Sequence, residues 1–485
     1  MNYKMMGRFL SQTLFVETLF MIPALCISIF SAEAAAWQGF LLAMAIMLAV
    51  TGLLHLICKS APNALNAKEG LVCVGISWIV MSLLGCLPFV FSGAIPNYID
   101  ALFEMVSGFS TTGSSVISRP EDLPRGILYW RSFSHWLGGM GVLVFLLALQ
   151  PADGNSGFTM HLLRAESPGP NVGKLVPKMR KTATILYLIY IVMTIANVIF
   201  LLCGGMPFLE ALCTAFGTAG TGGLGVKSDS LTSYSPYIQN VTTVFMLLFG
   251  VNFSCYYLIL LRQFKGVFKD EELRLYILLV VVSIGLIFWN LQGLYPTQEE
   301  TLRHSAFQVG SIITTTGYST VDFDLWPSFS KMILVGLMLI GACAGSTGGG
   351  IKVARVLLLF KSLRRNIRQV LRPKSVQVIR SNGQRVDETI VRNTNAYLAA
   401  YVIIIFVSVL LVSLDPGNFS PTTNLTAVFA CFNNIGPGLE AVGPTCNYAG
   451  FSPLSKIVLI LDMLAGRLEI FPILALLSRN TWRHR

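Results

Sequence analysis

Charge is scarce in this sequence. Asp, Glu, Lys and Arg make up 12% of its 485 residues, about half of the ~25% usual in soluble globular domains, and that excludes an ordinary soluble chain. Paired cysteines are also missing. The ten cysteines stand singly, with no CxxC and no metal-ligand spacing, so they read as small buried hydrophobes. His55, His135, His161, His304 and His484 form no cluster. No nucleophile or general-base constellation is visible, and the chain is not expected to be an enzyme. His135, beside Trp136, reads as packing or an interfacial anchor. The first apolar run is too long for a cleaved secretory signal, and no small-residue cleavage site follows it.

What is abundant is hydrophobicity, at 54% of residues with a mean hydropathy of +0.65. Apolar runs near the ~20 residues that cross a bilayer core recur at 9–30, 37–58, 71–91, 127–149, 183–203, 241–261, 275–291, 329–360 (interrupted), 396–414 and 454–477. Ten spans predict an all-α polytopic membrane protein with no separate soluble domain.

The net charge of +11 is distributed unevenly. With ten spans both termini share one side, and that side collects Lys4, Arg8, Lys59, Lys68, the cluster Arg164, Lys174, Lys178, Arg180 and Lys181, then Arg262 to Arg274, nine residues between Lys361 and Arg392, and Arg479, Arg483 and Arg485. The other side holds only Arg119, Arg125, Arg131, Lys227, Arg303, Lys331 and Lys456. The positive-inside rule then places both termini in the cytoplasm and accounts for the basic balance without nucleic acid.

Four outward connections are too long and too apolar for plain loops: YIDALFEMVSGFSTTGSSV, FLEALCTAFGTAGTGGLGV, LRHSAFQVGSIITTTGYSTVD and NLTAVFACFNNIGPGLEAVG. Aligned on Gly113, Gly222, Gly317 and Gly436, they lie 109, 95 and 119 residues apart, a period that signals internal duplication. Each unit reads as span, re-entrant half-helix, extended strand, span. The units fall at 70–180, 181–270, 271–392 and 393–485, after two additional N-terminal spans in 1–69. Non-helical backbone at membrane depth is tolerated only where it is buried or lines a cavity. Four such segments on one axis would present rings of carbonyl oxygens able to replace a cation's hydration shell. Hydroxyls at Ser110 to Thr112 and Thr314 to Thr316 add oxygens at the inner end, and the negative C-terminal end of each half-helix favours a cation. Outer acids, namely Glu104, Asp229, Glu299, Glu300, Asp322, Asp324 and Glu440, are placed either to concentrate cations or to serve as solvated and capping carboxylates.

STTG, GTGG, TTTG and NNIGPGL, together with RSFSHWLGGMGV, CAGSTGGGIKVAR and AGRLEIF, resemble the TrkH/TrkG/KtrB superfamily of potassium transporters. The two extra spans are similar to the TrkH/TrkG branch. The resemblance implies four helix–pore-loop–helix repeats with fourfold pseudosymmetry around one potassium pore. It also implies a homodimer in the bacterial inner membrane and control by TrkA, a cytoplasmic nucleotide-binding ring. No cofactor is expected in this chain beyond K+ as the transported ion. By motif, the filter positions are Ser110, Thr111, Thr112, Gly113 and Ser114; Gly220, Thr221, Gly222 and Gly223; Thr314, Thr315, Thr316, Gly317 and Tyr318; and Asn434, Ile435, Gly436, Pro437 and Gly438. The ion is expected at Thr111, Thr112, Thr221, Gly222, Thr315, Thr316, Asn434 and Ile435. GTAGTGG stands where the family more often has TTVSTGG, so Gly217 and Gly220 lose hydroxyls and are expected to gain flexibility. In related plant transporters serine at the first anchor accompanies sodium preference; all four anchors here are glycine, which implies potassium over sodium.

The run Gly345-Ser346-Thr347-Gly348-Gly349-Gly350 resembles a phosphate loop, but Lys352 is displaced by one from the Walker A register and the flanks are membrane spans. Dense interior glycine, each costing ~1 kcal/mol of helix propensity, predicts unwinding below the third filter. A glycine-rich helix interface is the alternative. The preferred reading is a gate from Gly341 to Gly350 that obstructs the pathway and moves to open it. Asp462, Arg467 and Glu469 are ionisable groups in an apolar helix, and Arg467 is singled out to hold loop carbonyls and repel a cation; an internal Arg–Glu pair is the alternative. The basic segment 361–392 is placed to meet anionic lipid or a regulatory protein, though positive-inside bookkeeping alone explains its charge. Proton- or sodium-coupled symport through the same pore also stays open.

Overall fold

A computed structural model of the chain describes residues 2–59, 67–141, 179–374 and 377–482. The expected basic residues Arg164, Lys174 and Lys178, and the latter part of the span at 127–149, lie outside the described residues. Helices dominate, because long apolar runs in lipid must satisfy every backbone group internally. The order begins with α1 (Tyr3–Phe20), α2 (Ile22–Phe30) and α3 (Ala34–Ile57). The chain then runs through four similar units.

The first unit comprises α4 (Ala67–Gly85), α5 (Leu87–Phe91), α6 (Tyr98–Phe109) and α7 (Arg125–Met140). The second has α8 (Met179–Cys203), α9 (Phe208–Gly220), α10 (Pro236–Phe249), α11 (Phe253–Leu260) and α12 (Phe264–Lys269). The third has α13 (Glu271–Asn290), α14 (Gln298–Ile313), α15 (Ser328–Ile340) and α16 (Val353–Leu371). The fourth has α17 (Glu388–Val412), α18 (Pro421–Phe432), α19 (Pro453–Arg467), α20 (Phe471–Leu477) and α21 (Arg479–Trp482). One helix of each unit is short and largely buried: α6, α9, α14 and α18 are the half-helices expected in the outward connections. Helices α10, α18 and α19 start sharply, with Ser–Pro pairs at 235–236, 420–421 and 452–453 supplying an N-cap hydroxyl and a preset first turn.

Among the described residues six helices are long and apolar enough to cross a membrane, and α10 with α11 makes a seventh only as a pair bent by 89°. The expected span 241–261 breaks at Gly250–Asn252, and the span 454–477 breaks where Glu469 and Ile470 take φ of +58° and +68°. The break in the second unit is satisfied from elsewhere: Gly250 O accepts from Cys343 N at 3.1 Å, and Phe253 N donates to Gly345 O at 3.0 Å. Neither break has a glycine run to announce it, so hydropathy alone joined the halves. Between α16 and α17 a two-residue hairpin, β1 (Arg380–Ser381) with β2 (Gln384–Arg385), pairs Arg380 with Arg385 in antiparallel register. Its turn is Asn382-Gly383, both at positive φ, the signature of a type I′ turn.

Candidate functional site

The four half-helices end in the same way. Thr111, Thr221, Thr315 and Asn434 are left-handed, at φ +57°, +56°, +59° and +56°, and the following N–H reaches back five residues. Those bonds are Thr112 to Ser107 O (2.9 Å), Gly222 to Gly217 O (2.9 Å), Thr316 to Ser311 O (2.8 Å) and Ile435 to Ala430 O (2.8 Å). A second bond, from the left-handed residue itself to the carbonyl three back, completes a Schellman motif each time. Glycine normally fills the left-handed position, and a β-branched residue there is an outlier of the kind that gathers at functional sites.

This geometry corrects the register of the second loop. Thr221 is its left-handed residue, so Gly222 occupies the place of Thr112, Thr316 and Ile435, and the anchor is Gly223. Two adjacent glycines in GTGG gave the sequence no means of choosing.

The anchors close a ring. A Cβ on Gly113 would lie 2.8 Å from Gly223 N, and one on Gly223 would lie 2.7 Å from Tyr318 N. On Gly317 it would meet Ile435 O and, at 2.9 Å, Pro437 Cδ; on Gly436 it would sit 3.0 Å from Gly113 C. Loop one therefore touches loop two, two touches three, three touches four, and four returns to one. These neighbours are backbone, which cannot swing aside as a side chain does. One cavity opens on this ring, lined by Gly113, Gly223, Gly317 and Gly436 among others.

Polar groups behind and below the ring are mostly engaged. Ser110 Oγ meets Thr112 Oγ1 at 2.6 Å, and Thr314 Oγ1 meets Thr316 Oγ1 at 2.8 Å. Thr221 Oγ1 donates to Gly220 O at 2.6 Å. Asn434 Nδ2 donates to Thr112 Oγ1 and to Met463 O, both at 3.0 Å, which is how the asymmetric fourth loop joins the first. Ser114 Oγ donates to Gly436 O at 3.1 Å and Tyr448 Oη to the same carbonyl at 2.8 Å. Gly438 N donates to Val442 O at 2.6 Å.

Glu104 is not on the outer surface. It is 1% exposed, and its Oε1 accepts from Arg131 Nε at 2.6 Å while its Oε2 accepts from Val116 N at 2.9 Å. Arg131 also donates to Gly225 O at 2.8 Å and to Ser115 Oγ at 3.2 Å. A buried ion pair thus braces the outer strands of loops one and two; its partners stand 27 positions apart, and nothing local in the sequence joins them. Gly217 and Gly220 lie buried in the last turn of α9 and are closely packed. Gly217 makes room for the Tyr318 hydroxyl, which donates to Thr214 O at 3.3 Å, and a Cβ on Gly220 would lie 2.7 Å from His135 C. His135, fully buried behind Gly222, packs inside and is no interfacial anchor.

Below the ring, 341–352 is non-helical, so the glycine density did unwind the chain. Gly341, Gly345 and Gly350 stand at φ +76°, +70° and +74°, conformations open to glycine. Gly349 N donates to Thr315 Oγ1 at 2.6 Å, and a Cβ on Gly348 would lie 2.8 Å from Thr314 O. Ser346 Oγ donates to Cys343 O at 2.6 Å, and Thr347 Oγ1 to Phe249 O at 3.4 Å. Buried Lys352 donates through Nζ to Gly348 O. Arg467 donates to Thr347 O at 2.8 Å, to Gly139 O at 2.6 Å, to Gly138 O, and to Thr111 Oγ1 at 3.3 Å. The other two ionisable groups point elsewhere: Asp462 accepts from Ser408 Oγ at 2.7 Å, and Glu469 pairs with Arg355, whose guanidinium lies 4.0 Å over the Tyr397 ring.

Known proteins are similar to this chain in sequence and in fold. Residues 36–482 match the family TrkH, described as cation transport protein. The Trk system potassium uptake protein TrkH of Salmonella typhimurium is 35% identical over 457 residues, covering 92% of this chain and 93% of that one. TrkH of Halomonas elongata is 33% identical across the whole of both chains, and TrkG of Escherichia coli is 30% identical over 96% of each. The crystal structure of the potassium transporter TrkH from Vibrio parahaemolyticus superposes over all of both chains with a TM-score of 0.88 at 29% identity. The chain is a multi-pass membrane protein and belongs to the TrkH family of cation transport proteins.

Proposed function

We propose that this chain carries potassium into the cell through the ring formed by its four loops, with the glycine-rich loop as gate. The observation that carries the reading is the ring contact of Gly113, Gly223, Gly317 and Gly436 beneath a common cavity. A dehydrating cation there finds carbonyl oxygens in place of water, and four half-helices direct their negative ends inward. Ser110 to Ser114, Gly220 to Gly223, Thr314 to Tyr318 and Asn434 to Gly438 form the selectivity filter in this reading. Thr111, Thr112, Thr221, Gly222, Thr315, Thr316, Asn434 and Ile435 surround the ion.

Gly341 to Gly350 closes the path from below, held by the Arg467 guanidinium, whose charge also repels a cation from the shut pore. The names of the relatives support potassium as cargo and a multi-component system. In that system a TrkA-like nucleotide-binding ring acts on a homodimer from the cytoplasm, with both termini on that side of the inner membrane.

The test is flux in proteoliposomes holding the purified protein. Rubidium uptake well above sodium uptake is expected, and equal fluxes would overturn the selectivity. A reversal potential that follows the potassium gradient and is unmoved by pH establishes conduction; displacement with pH establishes coupling to protons instead.

A further inference from the structure

The acidic triplet Asp270-Glu271-Glu272 at the start of α13 divides its labour. Asp270 caps its own helix, accepting from Leu273 N at 2.8 Å. Glu271 turns outward to Lys361, with its N–H on Asn382 Oδ1 of the hairpin turn at 2.9 Å. Glu272 turns inward. Its Oε1 accepts the N–H of Ala344 at 2.5 Å and the N–H of Ala354 at 3.1 Å.

Those two amides lie on opposite ends of the glycine-rich loop. Ala344 follows Cys343 where the loop begins, and Ala354 belongs to the first turn of α16, where the loop has ended. The first amides of a helix lack partners within it, and Lys352, at the N-cap of α16, provides no capping side chain. One carboxylate oxygen from another helix therefore caps α16 and binds the mouth of the loop together, at the positive end of the helix where a negative group is favoured.

We propose that Glu272 is the clasp of the gate: a positioning residue that holds 344–354 in its closed hairpin-like course by joining its two ends. This rests on the reading of the loop as the gate. Both bonds use a single oxygen, so the clasp depends on an acceptor at the right reach more than on charge. Movement of the cytoplasmic segment would reach the clasp through the adjacent Glu271–Lys361 pair.

The experiment measures basal rubidium uptake by full-length protein in proteoliposomes, for wild type, Glu272→Ala, Glu272→Asp, Glu272→Gln and a deletion of 345–350. Ala removes the acceptor and Asp falls short by one methylene, so both are expected to raise basal flux on the order of tenfold, the effect of losing a buried hydrogen-bond acceptor. Gln keeps the acceptor oxygen and is expected to stay near wild type. The rubidium-to-sodium ratio should hold in the three point variants, whose position does not touch the ring; misfolding would not leave it so. If the deletion raises flux while Ala and Asp leave it unchanged, the clasp is wrong and the gate stands. Equal rises in Gln and Ala overturn the clasp in favour of a purely electrostatic role. No rise in the deletion removes the gate and the clasp with it. Should Ala fail to fold, the contrast of Asp with Gln decides alone.

Discussion

Arg467 and Thr347 lie 120 positions apart, and the guanidinium donates to the Thr347 carbonyl at 2.8 Å. The same side chain reaches the carbonyls of Gly138 and Gly139 and the Thr111 hydroxyl, so one group ties the loop to the fourth unit and the first. Replacing Arg467 with alanine is expected to raise basal rubidium flux by about tenfold, the loss of one or more charged hydrogen bonds. Lysine retains charge but loses the planar fork and should fall between. Unchanged flux in the alanine variant at normal expression would count against a gating role.

The shifted register of the second loop makes Gly222 and Gly223 respond differently. A Cβ on Gly222 would meet the His135 ring, 2.6 Å from Cε1, whereas one on Gly223 would meet backbone. Gly222→Ala and Gly223→Ala should both abolish uptake. Adding His135→Ala should restore part of the activity to the first and none to the second, as growth on limiting potassium will report; rescue of both would refute the register.

The buried pair Arg131–Glu104 sets up a stability test. Arg131→Met leaves a carboxylate in the interior without its partner, expected to cost about 3–5 kcal/mol. The double variant Arg131→Met/Glu104→Gln removes both charges and should lose less than the single one, seen as a higher thermal midpoint in detergent. A double variant worse than the single would show that the pair is not the source of the cost.

Outside the membrane, the Ser420 hydroxyl, with those of Thr423 and Thr422 and the charge of Lys331, holds the Glu440 carboxyl below its ordinary value of 4.5 against partial desolvation. A depressed folded value means that the unfolded chain takes up the proton first as pH falls. The contribution is therefore full above the ordinary value and disappears as pH drops through the lower folded one. Glu440 is largely solvent-accessible, so screening keeps the effect small. Thermal midpoints from pH 6 to about 3 should fall less steeply in Glu440→Gln than in wild type; parallel curves would exclude the carboxylate.

Much of this molecule can be read from its amino acids because lipid imposes simple rules. Apolar runs mark spans, basic residues mark a side, and glycine density at 345–350 marks unwinding, each a local property that survives without knowledge of the fold. Four outward connections in register predict a repeat, and with it equal places for Gly113, Gly317 and Gly436, while the second connection offered Gly222 where Gly223 closes the ring.

Other features have no local signal. The break at Gly250–Asn252 has its freed backbone paired from elsewhere, by Cys343 and Gly345, whereas that at Leu468–Ile470 closes on its own helix, Ile470 N donating to Ala465 O at 2.7 Å. Left-handed threonine is chosen by the packing that holds it, and Glu104, read as an outer acid, is buried because Arg131 arrives from another helix to neutralise it. The sequence by itself determined which segments are apolar enough for lipid and that the backbone yields at the glycine run, because hydropathy and helix cost are local. Only the tertiary structure decided which glycine faces which, because close backbone contacts and buried charge pairs join residues through space rather than along the chain.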